Sequence, residues 1–247
     1  AHSLDVTLGN WSLMVEKQTI QPKMLTLGFR PNADTVRGSF HAGDLDIMMT
    51  GNADLNTLAN KLSYLSGELG KQLKRDSMVN IQELRPEFPD MSIQVNAERD
   101  NPIYNFMQEY NMFFETLDLN ATISPEEGLN VNGTLLSLVK DTLKIDTIRL
   151  NIWQDTLGLQ YEADVAKNRF RHQEAFRANA HGYIRKGDGD IFVSYTNSHG
   201  EEGIHLGINI EKASEGFDFH FYPEKPIIAF MHFTVNDNNY FRFKSLK

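Results

Sequence analysis

Cysteine is missing from all 247 residues, which excludes thiol catalysis, disulfide staples and thiolate-ligated zinc together. Long apolar runs are missing too, so no segment of the sequence reads as a helix that spans a bilayer. Basic residues are in deficit, 24 against 33 acidic, for a net charge of −9. That balance argues against nucleic acid as a partner, because phosphate affinity rests on grouped Lys and Arg. The opening residues Ala1-His2-Ser3-Leu4-Asp5 have neither a basic start nor an apolar stretch and do not read as a secretion signal. We expect a processed chain or an internal piece of a longer protein. The lack of thiols fits an oxidising compartment.

Catalytic signatures are equally scarce. Of the 8 histidines, none forms an H-E-x-x-H or H-x-x-x-H pair. His205 and His220 alternate with apolar neighbours and are expected on the wet face of strands. No nucleophile elbow, P-loop or dinucleotide-binding glycine pattern is present. The carboxylate pairs Glu126/Glu127, Asp188/Asp190 and Glu201/Glu202 read as turn residues, and Asp44/Asp46 as a solvated strand face. The sequence therefore predicts a protein that is not an enzyme, with no catalytic residue, metal or cofactor.

What is abundant is alternation. Leu117, Leu119, Ala121 and Ile123 interleave with polar residues up to the turn Pro125-Glu126-Glu127-Gly128. Leu129, Val131, Gly133 and Leu135 then do the same, which predicts a hairpin with one apolar and one wet face. The period recurs in Met91–Ala97, Leu157–Val165, Phe176–Ala180, Ile191–Tyr195, Ile204–Ile210 and Phe217–Phe221. The fold class expected is mainly β, an elongated antiparallel meander of about fifteen strands curled into a groove or open barrel.

Two segments carry helical spacing instead. Leu55, Leu58, Ala59, Leu62, Leu65, Leu69 and Leu73 follow the candidate cap Asp54, with Lys71, Lys74 and Arg75 near the end. Asn101 and Pro102 open a second helix whose apolar set is Ile103, Phe106, Met107, Tyr110 and Phe114. The expected organisation is strands over 1–52, a helix–strand–helix insertion over 53–116 and a β-meander groove over 117–247, all one continuous domain. Two amphipathic helices cover only part of such a sheet. The remaining apolar face must pack on another sheet, curl onto itself, or hold something apolar.

One short pattern stands out. Asp followed by Ser or Thr and an apolar residue occurs at Thr35, Ser77, Thr142, Thr147 and Thr156, where about one match is expected from background usage. It resembles the acceptor of a periplasmic O-glycosylation system, and it equally suits ordinary turn and strand-entry text.

From Asp118 onward the sequence resembles a known family. The turn S-P-E-E-G-L-N-V at Ser124–Val131, the ladder D-T-L-K-I-D-T-I-R at Asp141–Arg149, the P-E-K-P at Pro223–Pro226 and the ending F-T-V-N-D-N-N-Y at Phe233–Tyr240 carry the likeness. They resemble the β-rich region of the TamB (translocation and assembly module) branch of the AsmA-like envelope proteins. The likeness reaches back through the helix at Asp54 and the D-N-P helix start at Asp100. It implies a sheet bent into a groove, apolar inside and polar outside, in a periplasmic segment of a longer protein anchored in the inner membrane of a Gram-negative bacterium. It implies a function in inter-membrane phospholipid transport and outer-membrane biogenesis, with phospholipid or another acyl-chain ligand as partner. An outer-membrane barrel would be engaged by other parts of the full-length protein.

The groove-lining residues expected on this reading are Leu119, Ala121, Ile123, Leu129, Val131, Leu159, Tyr161, Ala163, Val165, Ala178, Ile204, Leu206, Ile208, Ile210, Phe219 and Phe221. The helix at Asp54 is a candidate plug for the same groove. Two other readings stay open: an assembly or chaperone scaffold that binds nascent strands by β-augmentation, and a secreted carbohydrate-binding sandwich using Trp11 and Trp153.

Overall fold

The computed structural model describes residues 3–9, 13–15, 18–20, 24–76, 78–169, 172–222 and 225–243. The expected fold class holds: the chain is mainly β, with antiparallel strands in one open sheet. In chain order the strands are β1 Leu4–Gly9, β2 Leu13–Val15, β3 Gln18–Ile20, β4 Met24–Pro31, β5 Val36–Ala42 and β6 Leu45–Gly51. Helix α1, Leu55–Asp76, and the single turn α2, Ile81–Leu84, precede β7, Met91–Ala97. After α3, Pro102–Glu109, come β8 Met112–Phe113, β9 Thr116–Ser124, β10 Gly128–Lys140, β11 Leu143–Gln154 and β12 Leu159–Lys167. The remainder are β13 Phe176–Arg185, β14 Asp188–Asn197, β15 Glu202–Ala213, β16 Gly216–Phe221, β17 Ile227–Ile228, β18 Met231–His232 and β19 Phe241–Phe243.

The pairing is a meander. β1 pairs β4, then β5, β6, β7, β9 and β10 follow in turn, and from β10 each strand pairs the next through β16, with β19 alongside β16. The strand between the two helical segments thus belongs to the sheet, between β6 and β9. β2 and β3 form a separate two-stranded ribbon.

The helical segments lie on the apolar face at opposite ends of the strands. α1 starts with the Asp54 carboxylate accepting from the backbone N–H of Asn56 and Thr57, as an N-cap should. Leu58 sits where a side chain at Gly51 on β6 would be, and two residues past α1 the Met78 side chain lies against Gly189 on β14. From β6 to β14 is seven strand steps, roughly 34 Å, and a helix of 22 residues is about 33 Å long.

The chain then returns along the same strand ends. Gln82 donates to the Asp155 carbonyl, and the Arg85 guanidinium to the carbonyls of Pro125 and Glu126. Lys61 on α1 donates to the Phe88 carbonyl, and the Asn52 N–H to the Asp90 carbonyl. α1 and its return form a strap across one end of the sheet. Leu65, Leu84 and Phe88 are its buried core, and Ile123 and Leu129 of the sheet pack against them.

The buried stripe of α1 is rotated from the one its leucines predict. Leu58, Leu65 and Gln72 are buried, whereas Leu55, Leu62 and Leu73 are exposed, Leu62 at 44%. The returning segment packs Leu84 and Phe88 on the flank that carries Leu65, whereas Leu55, Leu62 and Leu73 on the other flank stay exposed.

At the opposite end α3 packs Ile103, Tyr104 and Met107 over Leu45, Ala97 and Phe114. Asn101 caps it through the Tyr104 N–H at 2.9 Å. The expected reach of this helix to Phe114 is not realised. It stops at Glu109, the chain turns through Asn111 at φ 53°, and Phe114 enters the core from the strand side. Phe106 and Tyr110 stay exposed and pack on each other.

Candidate functional site

Antiparallel partners point to the same face of a sheet, so the register traces each face strand by strand. One row runs Leu4, Phe29, Gly38, Met49, Ile93 and Ala121. It continues through Val131, Ile152, Tyr161, Gly182, Ile191, Ile208 and Phe221 without a charge. A parallel row passes Val95, Leu119, Gly133, Leu150, Ala163, Ala180, Val193 and Leu206. One residue along, on the other face, the row reads Asn96, Asp118, Thr134, Arg149, Asp164, Asn179, Ser194 and His205. His220 faces Asn209 on that polar side as well.

All sixteen residues expected to line a groove fall on the apolar face. Ile123 lies opposite Leu129, Ala121 opposite Val131, and Leu119 opposite Gly133. Leu159, Tyr161, Ala163 and Val165 lie opposite Gln154, Ile152, Leu150 and Ile148. Ala178 joins Val165 to Tyr195, which faces Ile204, and Val193 faces Leu206. Ile208 and Ile210 face Phe221 and Phe219. None of the sixteen is buried: fourteen are half-buried, and Ile204 and Phe221 are exposed at 36% and 37%. The buried core clusters gather instead under the two helical caps, and among the described residues the central apolar rows from β11 to β16 are half-buried or exposed.

Tyr161 is the single polar-tipped residue among the sixteen. Its hydroxyl donates to the Asp190 carbonyl at 2.7 Å, and burial, together with the Asp190 charge, raises its pKa above the ordinary phenol value.

Sequence reasoning passed over Ile93, Val95, Ile148, Ile152, Ile191 and Val193, which share the face and were legible from the same alternation. It also missed a cleft of about 790 Å³ at the end of β10 and β11, lined by Phe113, Phe114 and Val139 together with Arg99 and Lys144. These residues come from four segments of the chain, and no local pattern announces such an assembly.

The aspartates of the Asp-Ser/Thr pattern shape turns and strand ends. The Asp155 carboxylate accepts from the Leu157 and Gly158 N–H groups, and although burial pushes its pKa up, these bonds hold it below the ordinary carboxylate value. Asp146 accepts from Asn168, and Asp141 adopts φ 52° in the turn between β10 and β11. Thr142 and Thr156 are exposed in turns, Thr35 is half-buried, and Thr147 is half-buried within β11. Ser77 and Trp11 lie outside the described residues.

Asp44 is not the solvated strand residue expected. It sits in the turn after β5 and accepts from the Glu98 and Asp100 N–H groups and the Asn101 side chain. Among the described residues no group of three or more His, Asp or Glu side chains is arranged to hold a metal, and no helix is long and apolar enough to cross a membrane. Compared with protein-family models, curated proteins and solved structures, the chain matches none of them.

Proposed function

We propose that this chain is a periplasmic segment of a TamB-like or AsmA-like envelope protein, and that its apolar sheet face carries acyl chains of phospholipid between membranes in outer-membrane biogenesis. The observation that supports the reading is the uninterrupted apolar register from β1 to β16, half-exposed wherever the helical caps do not reach. A lipid tail laid on that face gains about 0.8 kcal/mol for each methylene removed from water, while its headgroup stays hydrated at the groove edge. Such transport asks for no catalytic group. The net charge of −9 disfavours adhesion to anionic membrane surfaces. Contacts with an outer-membrane barrel, and an inner-membrane anchor, are assigned to other parts of the full-length protein.

The test is lipid recovery. Protein purified without detergent is extracted and its phospholipid quantified by mass spectrometry; bound lipid in the wild type and its loss in Ile208→Asp are expected. Lipid-free wild-type protein with unaltered fold would sink the proposal. A second reading has one observation in its favour: among the described residues the register of β1 is with β4, and an end strand of an open sheet offers a backbone edge for β-augmentation. Capture of an outer-membrane barrel protein that survives Ile208→Asp would favour it.

A further inference from the structure

We infer that the cleft at the end of β10 and β11 is a headgroup site for a zwitterionic amphiphile, one phosphate and one ammonium, whose tails continue along the groove; the inference rests on the groove reading above. Alternate residues of a strand share a face, so on β11 the groove-facing column is Lys144, Asp146, Ile148, Leu150 and Ile152. The apolar stripe therefore ends in a charged pair, Lys144 and Asp146, 3.3 Å apart. The neighbouring strand repeats the pattern, with Leu159 to Val165 apolar and Lys167 next on the same face. At the other end of these strands lies the strap. On β11 and β12 the face is thus charged at one end and closed by the strap at the other, a gradient that orients a molecule with a head and tails.

The cleft sits at the polar end and its volume, about 790 Å³, is within the range of small-molecule sites. Phe114 links it to the groove, since it lines the cleft and belongs to the core cluster against which Leu117 and Leu135 of the apolar face pack. The charged lining is balanced: Arg99 and Lys144 against Glu115 and Asp141. Arg99 and Glu115 stand 3.8 Å apart and are both more than half exposed, a loose pair worth little by itself. A phosphate can take the cations and an ammonium the carboxylates, replacing weak pairs with charge-assisted hydrogen bonds. A headgroup with only negative charge meets two carboxylates, and a fatty acid leaves them unanswered.

The experiment equilibrates the protein with vesicles of equal parts phosphatidylethanolamine, phosphatidylglycerol and palmitic acid, re-isolates it and counts bound lipid. Phosphatidylethanolamine is expected to be enriched several-fold over its share of the vesicle. Lys144→Glu should lower its retention about tenfold, the worth of one charge-assisted hydrogen bond. Glu115→Lys, at a side chain more than half exposed, should turn the preference toward phosphatidylglycerol. Bound lipid in the proportions of the vesicle, or proportions unmoved by both variants, overturns the headgroup site while leaving the groove. Undiminished retention in Ile208→Asp, or none in the wild type, overturns the groove and the headgroup site with it.

Discussion

The Tyr161 hydroxyl reaches the Asp190 carbonyl across Gly182, bonding β12 to β14 over the strand between them. A methyl group at Gly182 would stand 2.1 Å from that carbonyl oxygen and 2.8 Å from the Tyr161 hydroxyl, so the position tolerates no side chain. Gly182→Ala should destabilise the protein by about 1–3 kcal/mol through this overpacking, and Tyr161→Phe by about 1 kcal/mol through the lost bond. In urea titrations the double variant should lose less than the sum, because both changes break the same bridge. Strict additivity would mean that the two residues act independently.

Asp44 organises the α3 end. Its carboxylate receives Glu98, Asp100 and Asn101, and Asn101 caps α3 in turn. Gly43, at φ 68°, permits the approach, since a side chain there would overlap the Asp100 carbonyl. Loss of the Asn101 cap in Asn101→Ala should cost about 1 kcal/mol. Burial pushes the Asp44 carboxyl up, but the bonds from Asn101, Asp100 and Glu98 outweigh it and hold it below its ordinary 3.8. The stabilisation is therefore in place above pH 3.8 and is lost as pH falls through the lowered folded value. Asp44→Asn should flatten the acid limb of a stability–pH curve. An unchanged limb would assign acid unfolding to other carboxylates.

The strap is held by few contacts, so one core truncation should loosen it. Leu84 is 2% exposed between α1 and the sheet, and Leu84→Ala should cost about 2–5 kcal/mol. Hydrogen exchange should accelerate over residues 55–88 while β15 and β16, which the strap does not reach, keep their protection. Uniform acceleration would show instead that strap and sheet unfold as one unit.

Val193 and Ser194 are neighbours on opposite faces. If acyl chains lie on the apolar face, Val193→Asp should abolish bound lipid and Ser194→Asp should leave it intact. Equal effects of the two would remove face specificity from the lipid interaction.

At the strap end of β13, Tyr183 has its phenol pushed up to about 12 by burial and the Asp188 hydrogen bond. Whatever stability this neutral phenol confers is present below pH 10 and disappears as pH rises through about 12. An ultraviolet alkaline titration should show Tyr183 among the late tyrosines, with Tyr161 and Tyr222 also raised, and Asp188→Asn should advance it.

Most of the sheet was legible because period-two alternation is a local property. Leu119 to Ile123 and Leu129 to Val131 announce their face from neighbours alone, and Pro125 to Gly128 announces their hairpin. Where a local signal competed with turn chemistry, the turn won. Leu157 alternates correctly with Leu159, yet it sits in the turn, 64% exposed, because the Asp155 carboxylate takes its N–H. The same limit hid the third helical turn at Ile81–Leu84, too short for any period to register.

The sequence by itself determined the β class, the antiparallel meander and the polarity of each face, since alternation and turn residues act within a few positions along the chain. Only the tertiary structure decided which part of the apolar face is covered. That depends on where α1 and α3 lie, and on which flank of α1 meets Leu84 and Phe88, contacts between segments far apart in the chain. For the same reason Arg99 and Lys144 came to line one cleft only when the turn before α3 and the start of β11 were folded to the same end of the strands.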